Sequence, residues 1–112
     1  ITTIKQEEKN NISKKEIAIN NDQVVYKIQI GTYFQSMLMN KLFQEIKAEE
    51  QIVNGTYKYF VGRNHSKAKM DITKIQMQEK GFKGAFIVAF YKGRKITVKE
   101  ALDLQNKTND HE

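Results

Sequence analysis

Residues Val24 to Tyr33 read VVYKIQIGTY, and their alternation decides how the rest of the chain is read. Val24, Tyr26, Ile28 and Ile30 alternate with Val25, Lys27 and Gln29, the two-residue period of a half-buried strand that ends at Gly31. Ile28 and Ile30 belong on the buried face, so Val25, Lys27 and Gln29 belong on the other.

Downstream the period changes. Phe34, Leu38, Leu42 and Ile46 recur every four residues with Met37, Met39 and Phe43 beside them, which predicts a helix with this stripe in the core. QIVNGTYKYFVG, Gln51 to Gly62, then gives two runs around Asn54-Gly55, a dipeptide that favours a tight hairpin turn. Asn54-Gly55-Thr56 is also a glycosylation sequon, but the turn accounts better for it. In the second run Tyr57, Tyr59 and Val61 form one set and Thr56, Lys58 and Phe60 the other. With Tyr59 and Val61 inward, Phe60 stands beside Gln29 on the opposite face.

From Arg63 no helix breaker occurs before Gly81; Ala68, Ile72, Ile75 and Met77 suit a second helix, with Ser66 as its cap and Gly81 as its stop. KGFKGAFIVAFYKG, Lys80 to Gly93, supplies a strand over about Ala85–Tyr91 that is apolar on both faces, then a turn at Lys92-Gly93. Arg94 to Thr97 extends it, and Thr97 with Glu100 forms a capping box for a short last helix around VKEALDLQ. NKTNDHE reads as a disordered tail and residues 1–23 as a flexible polar linker. The expected fold is α+β: a βαββαβ four-stranded antiparallel sheet of ferredoxin-like layout. Both helices cover one face, the first and third strands lie at the centre, and a short C-terminal helix follows.

The 112 residues suffice for one small core, and the opening Ile1 reads as a fragment or a processed chain. No run is long and apolar enough to span a bilayer, and no signal-peptide pattern is visible. Without cysteine there is no disulfide, thiol chemistry or cysteine-ligated zinc. Residues 1–23 carry four Lys against four acids, whereas residues 24–100 carry fourteen Lys or Arg against six acids, net +8. The structured part is the basic part, which favours an anionic partner or reflects a solvated lysine-rich surface.

Catalytic constellations are missing. His65 and His111 lack metal-ligand spacing, Ser36 and Ser66 lack a nucleophile motif, Asp71 and Glu79 fall on a helix face, and the glycines never cluster into a phosphate cradle. No metal or cofactor is expected.

The topology is shared by RNA-recognition modules, and KGFKGAFIVAF loosely resembles their signature strand. That signature, however, precedes the second helix, whereas this stretch follows it, and Ala85 and Ile87 replace the stacking aromatics. A closer resemblance is to the SPOR domain family of bacterial peptidoglycan-binding repeats. Ile28-Gln29-Ile30-Gly31-Thr32-Tyr33 resembles the family's opening strand, Tyr57-Lys58-Tyr59-Phe60-Val61-Gly62 its third, and Gly81-Phe82 its helix stop before the last strand. The match covers residues 24–92, and YKGRKITVKEAL is similar to an extension in members from the Bacteroidetes lineage. Asn64 and Thr56 stand where the family usually has aromatics.

The resemblance implies a periplasmic, non-enzymatic module of the cell envelope, a monomer that takes glycan strands stripped of stem peptides on the open sheet face. Carried over by position, Gln29 and Thr32 are the family's strand glutamine and small hydroxyl, and Thr56 takes the place of one sugar contact. Phe60 would offer a flat surface to a sugar ring, and Lys27 and Lys58 would meet a muramic-acid carboxylate. A nucleic-acid-binding module and a protein-interaction domain are the alternatives. The second would be favoured by a C-terminal helix packed across the open face.

Overall fold

The computed structural model describes residues 23–110, so the expected linker, apart from Gln23, and His111 lie outside the described residues. Five strands and three helices follow in the order β1 (Val24–Tyr33), α1 (Lys41–Glu45), β2 (Glu49–Val53), β3 (Thr56–Asn64), α2 (Lys67–Glu79), β4 (Phe86–Tyr91), β5 (Arg94–Ile96) and α3 (Val98–Asp110). The sheet is antiparallel in the order β2-β3-β1-β4-β5. The expected α+β class and the β3–β1 centre hold; the four-strand layout is corrected to five, because Arg94–Ile96 pairs with Ala89–Tyr91.

Two-residue turns make both hairpins. Asn54 and Gly55 have φ of 50° and 80°, Lys92 and Gly93 of 53° and 79°, so both pairs take the left-handed conformation that matches strand twist. Thr56 donates its hydroxyl to the Val53 carbonyl at 2.7 Å and braces the first turn.

The predicted helix over Phe34–Ile46 shrinks to five residues. Asn40, in extended conformation, accepts the Leu42 and Phe43 amides on its side chain and starts the helix there. Upstream, Ser36 donates to Glu50 at 2.7 Å and the Met37 amide donates to the Tyr59 hydroxyl, fixing a loop in which Phe34, Leu38 and Met39 are exposed. Phe43 is the residue of α1 that reaches the core, edge-on to Tyr33, Tyr59 and Phe82.

The second helix forms where expected, but of its expected stripe only Met77 is buried, joined by Met70. Met70 and Met77 enter the core, whereas Ala68, Ile72 and Ile75 face outward. Ser66 caps it through the Lys69 amide at 3.2 Å. Its end is closed by Gly81 N–H to Gln78 and Phe82 N–H to Met77, a paired cap that needs the positive φ of Gly81, 114°.

The capping box is present, with Thr97 N–H donating to Glu100 at 2.9 Å and Glu100 N–H to the Thr97 hydroxyl at 3.0 Å. The helix it opens runs to Asp110, so residues expected as a tail extend α3. Ala101 is fully buried and Leu104 packs beside it against the core of Tyr26, Ile28 and Ala89. The Tyr26 hydroxyl donates to Gln105 at 2.7 Å, and Gln105 donates on to the His65 carbonyl at 2.8 Å. All three helices therefore lie on one face of the sheet, and α3 leaves the other face open.

Burial pushes the Tyr26 phenol above its ordinary value of about 10. The unfolded chain then ionises first as pH rises, so stability from Tyr26 is present below about pH 10 and is lost above it. Tyr26→Phe is expected to cost about 1 kcal/mol at pH 8. It should also flatten the alkaline fall, as measured by urea denaturation at pH 8 and pH 11; an equally steep fall in the variant would assign the titration elsewhere.

Candidate binding groove

The open face is built by strand parity. Val25, Lys27 and Gln29 of β1 pair with Phe90, Val88 and Phe86 of β4, and Gln29 also pairs with Phe60, which in turn faces Glu49. A row Glu49–Phe60–Gln29–Phe86 crosses four strands on one face. Two register shifts in the β1–β3 ladder, between Tyr26 and Ile28 and between Gln29 and Gly31, interrupt regular pairing. Such irregularities bend a sheet and raise its twist.

A groove of about 380 Å³ lies on this face, lined by Val25, Lys27, Glu49, Phe60, Arg63, Phe90 and Lys92 among others. Phe60 and Phe90 meet edge to face at 5.9 Å, and the Lys27 ammonium lies 5.2 Å from the Phe90 ring centre and 5.9 Å from that of Phe60. Lys27 is also paired with Glu49 at 2.9 Å. Phe60 is consequently only 4% exposed, and its partners on the same face cover it. It stands beside Gln29 as expected, but as a covered ring. The aromatic that does present surface on this sheet face is Phe86, 47% exposed and outside the groove lining, on the strand whose apolar pattern left its outward set open.

Among the described residues Gln29 is the one buried polar side chain, at 7% exposure. Its Nε2 donates to the Thr32 hydroxyl at 3.4 Å, while its Oε1 is buried and accepts no hydrogen bond from the described residues. A buried acceptor left in this state costs about 1–3 kcal/mol. Thr32 is exposed and pairs with Lys58, which is half-buried. Gln29, Thr32, Lys58 and Phe60 are therefore brought together; Lys27 belongs to the groove. Thr56 sits at the hairpin with its hydroxyl engaged by Val53, away from the groove lining.

Among the described residues no group of three or more His, Asp or Glu is placed to hold a metal. His65 holds its Nδ1 against the Val24 carbonyl at 2.7 Å, so that nitrogen carries the proton. Glu50, at the groove margin, accepts from Tyr59 at 2.6 Å and from Ser36. Asp71 pairs with Lys67.

Sequence reasoning missed Arg63, Phe86 and Phe90 as members of the open face. Phe86 and Phe90 were within reach, since antiparallel pairing to β1 sets their parity. Comparison with protein-family models, curated proteins and solved structures finds no match. No helix among the described residues is long and apolar enough to cross a membrane.

Proposed function

We propose that this chain is a non-catalytic peptidoglycan-binding module whose open sheet face takes glycan strands lacking stem peptides. It would bring its parent protein to the cell wall or the division site of a bacterial envelope, in the periplasm. The observation that carries the reading is the orphan acceptor of Gln29 between Phe60 and exposed Phe86. An acetamido N–H or a sugar hydroxyl supplies the missing donor, and the terminal amide torsion of Gln is soft enough to turn toward it. Phe86 offers an apolar ring to a pyranose face, the role first given to Phe60. The resemblance of IQIGTY and YKYFVG to the SPOR strands supports the same reading.

Two observations weigh against the alternatives. A nucleic-acid module needs stacking aromatics exposed on the central strands, and on the open face of β1 and β3 the aromatic is covered Phe60. A protein-interaction domain would be favoured by a C-terminal helix across the open face, whereas α3 packs on the other side.

The test is co-sedimentation with purified sacculi before and after an amidase removes the stem peptides. Binding should appear on stripped sacculi, and Gln29→Ala and Phe86→Ala should each weaken it roughly tenfold with an unchanged circular dichroism spectrum. Absence of co-sedimentation with stripped sacculi would sink the reading.

A further inference from the structure

The groove contains a charged residue that strand parity alone would have buried. β3 alternates normally up to Val61, which enters the core opposite Ile28, but the next pair is Tyr26 with Asn64. β1 advances two residues there while β3 advances three, so β3 carries one extra residue. Gly62 sits at that point with φ of 78°, the left-handed conformation of a glycine bulge. In an unbroken strand Arg63 would share the face of Val61. The bulge puts it into the groove lining beside Lys27, Phe60 and Phe90.

The electrostatics there are uneven. Lys27 is held by Glu49, and Glu50 is engaged by the Tyr59 and Ser36 hydroxyls. Arg63 is exposed on the groove wall, and Lys92 also lines the groove. A planar guanidinium suits a carboxylate carried on a sugar ring, because its fork binds both oxygens at once.

The geometry points to Arg63 as the residue that reads the free carboxylate of the stripped glycan. This deepens the glycan reading and rests on it. Gln29 and Phe86 take the neutral part of the ligand, and Arg63, carried there by the Gly62 bulge, takes its charge.

The experiment uses the whole chain and peptide-stripped sacculi in two forms, with carboxylates free or converted to methylamides. Wild type should bind the free form roughly tenfold better than the blocked form. Arg63→Ala and Arg63→Gln should bind both forms alike, at the level of wild type on the blocked form, with unchanged thermal midpoints. Gln29→Ala should be weaker yet keep its preference for free carboxylates. If wild type binds both forms equally, or the Arg63 variants keep the preference, the assignment of Arg63 is overturned while the glycan reading stands. If wild type binds neither form, the glycan reading falls and this inference with it.

Discussion

Phe43→Ala is expected to destabilise the domain by about 3–5 kcal/mol, a large part of the 5–15 kcal/mol typical of a natural domain. Phe43 is 5% exposed and meets Tyr33 at 5.6 Å, Tyr59 at 5.0 Å and Phe82 at 5.6 Å between ring centres, each edge-on. It thus joins β1, β3 and the segment after α2 in one aromatic cluster. The five-residue helix that carries it is too short to form on its own, so its place depends on this ring and on the Asn40 cap. Removing the ring leaves a cavity under three aromatics and frees the loop between β1 and β2. Urea denaturation should show the loss, and amide exchange across residues 41–46 should speed up more than across β1. Phe43→Leu should recover part of the difference. A loss below about 1 kcal/mol would mean the cluster closes over the gap and that the loop is held by Ser36, Met37 and Glu50 instead.

That same loop shows where sequence and structure part. Phe34, Leu38, Leu42 and Ile46 carry a helical spacing that the chain does not use, since Asn40 draws the Leu42 and Phe43 amides to its side chain and Glu50 captures Ser36 from another strand. The first cue is local and could be weighed in advance; the second is tertiary. On α2 both Ile72–Ile75 and Met70–Met77 lie at helical spacings, and the sheet selects the methionines. By contrast, β1, the Asn54-Gly55 hairpin and the capping box were legible, because alternation, Asn-Gly and Thr-x-x-Glu encode geometry within a few residues. β5 and the length of α3 were legible only in outline.

For the site, parity placed Gln29 beside Phe60 correctly. It was silent on the cover that Lys27 and Phe90 provide, since these come from two other strands. Arg63 was hidden for a different reason: alternation assumes an unbroken strand, and a glycine after an apolar residue reads equally as a strand end or a bulge. The exposed aromatic of the face is consequently Phe86 rather than Phe60, and Arg63 joins the charged residues on its groove.

Gly62→Ala is expected to cost about 1–3 kcal/mol, the next largest effect. Two terms contribute, and Gly55 separates them. Gly62 and Gly55 have nearly equal φ, 78° and 80°, so alanine suffers similar backbone strain at either. At Gly55 a Cβ meets nothing within 4 Å, whereas at Gly62 it falls 2.6 Å from the Met70 methyl, which is packed in the core at 3% exposure. A methionine end is flexible, but here it must move among buried neighbours. Gly62→Ala should therefore be the less stable of the two variants in urea denaturation. Pairing of Ile28 with Val61 and of Tyr26 with Asn64 brackets the bulge on both sides, so the register should hold and the folded fraction should keep its circular dichroism spectrum. Equal losses in the two variants would mean that Met70 yields freely and that only the left-handed backbone demands glycine at the bulge.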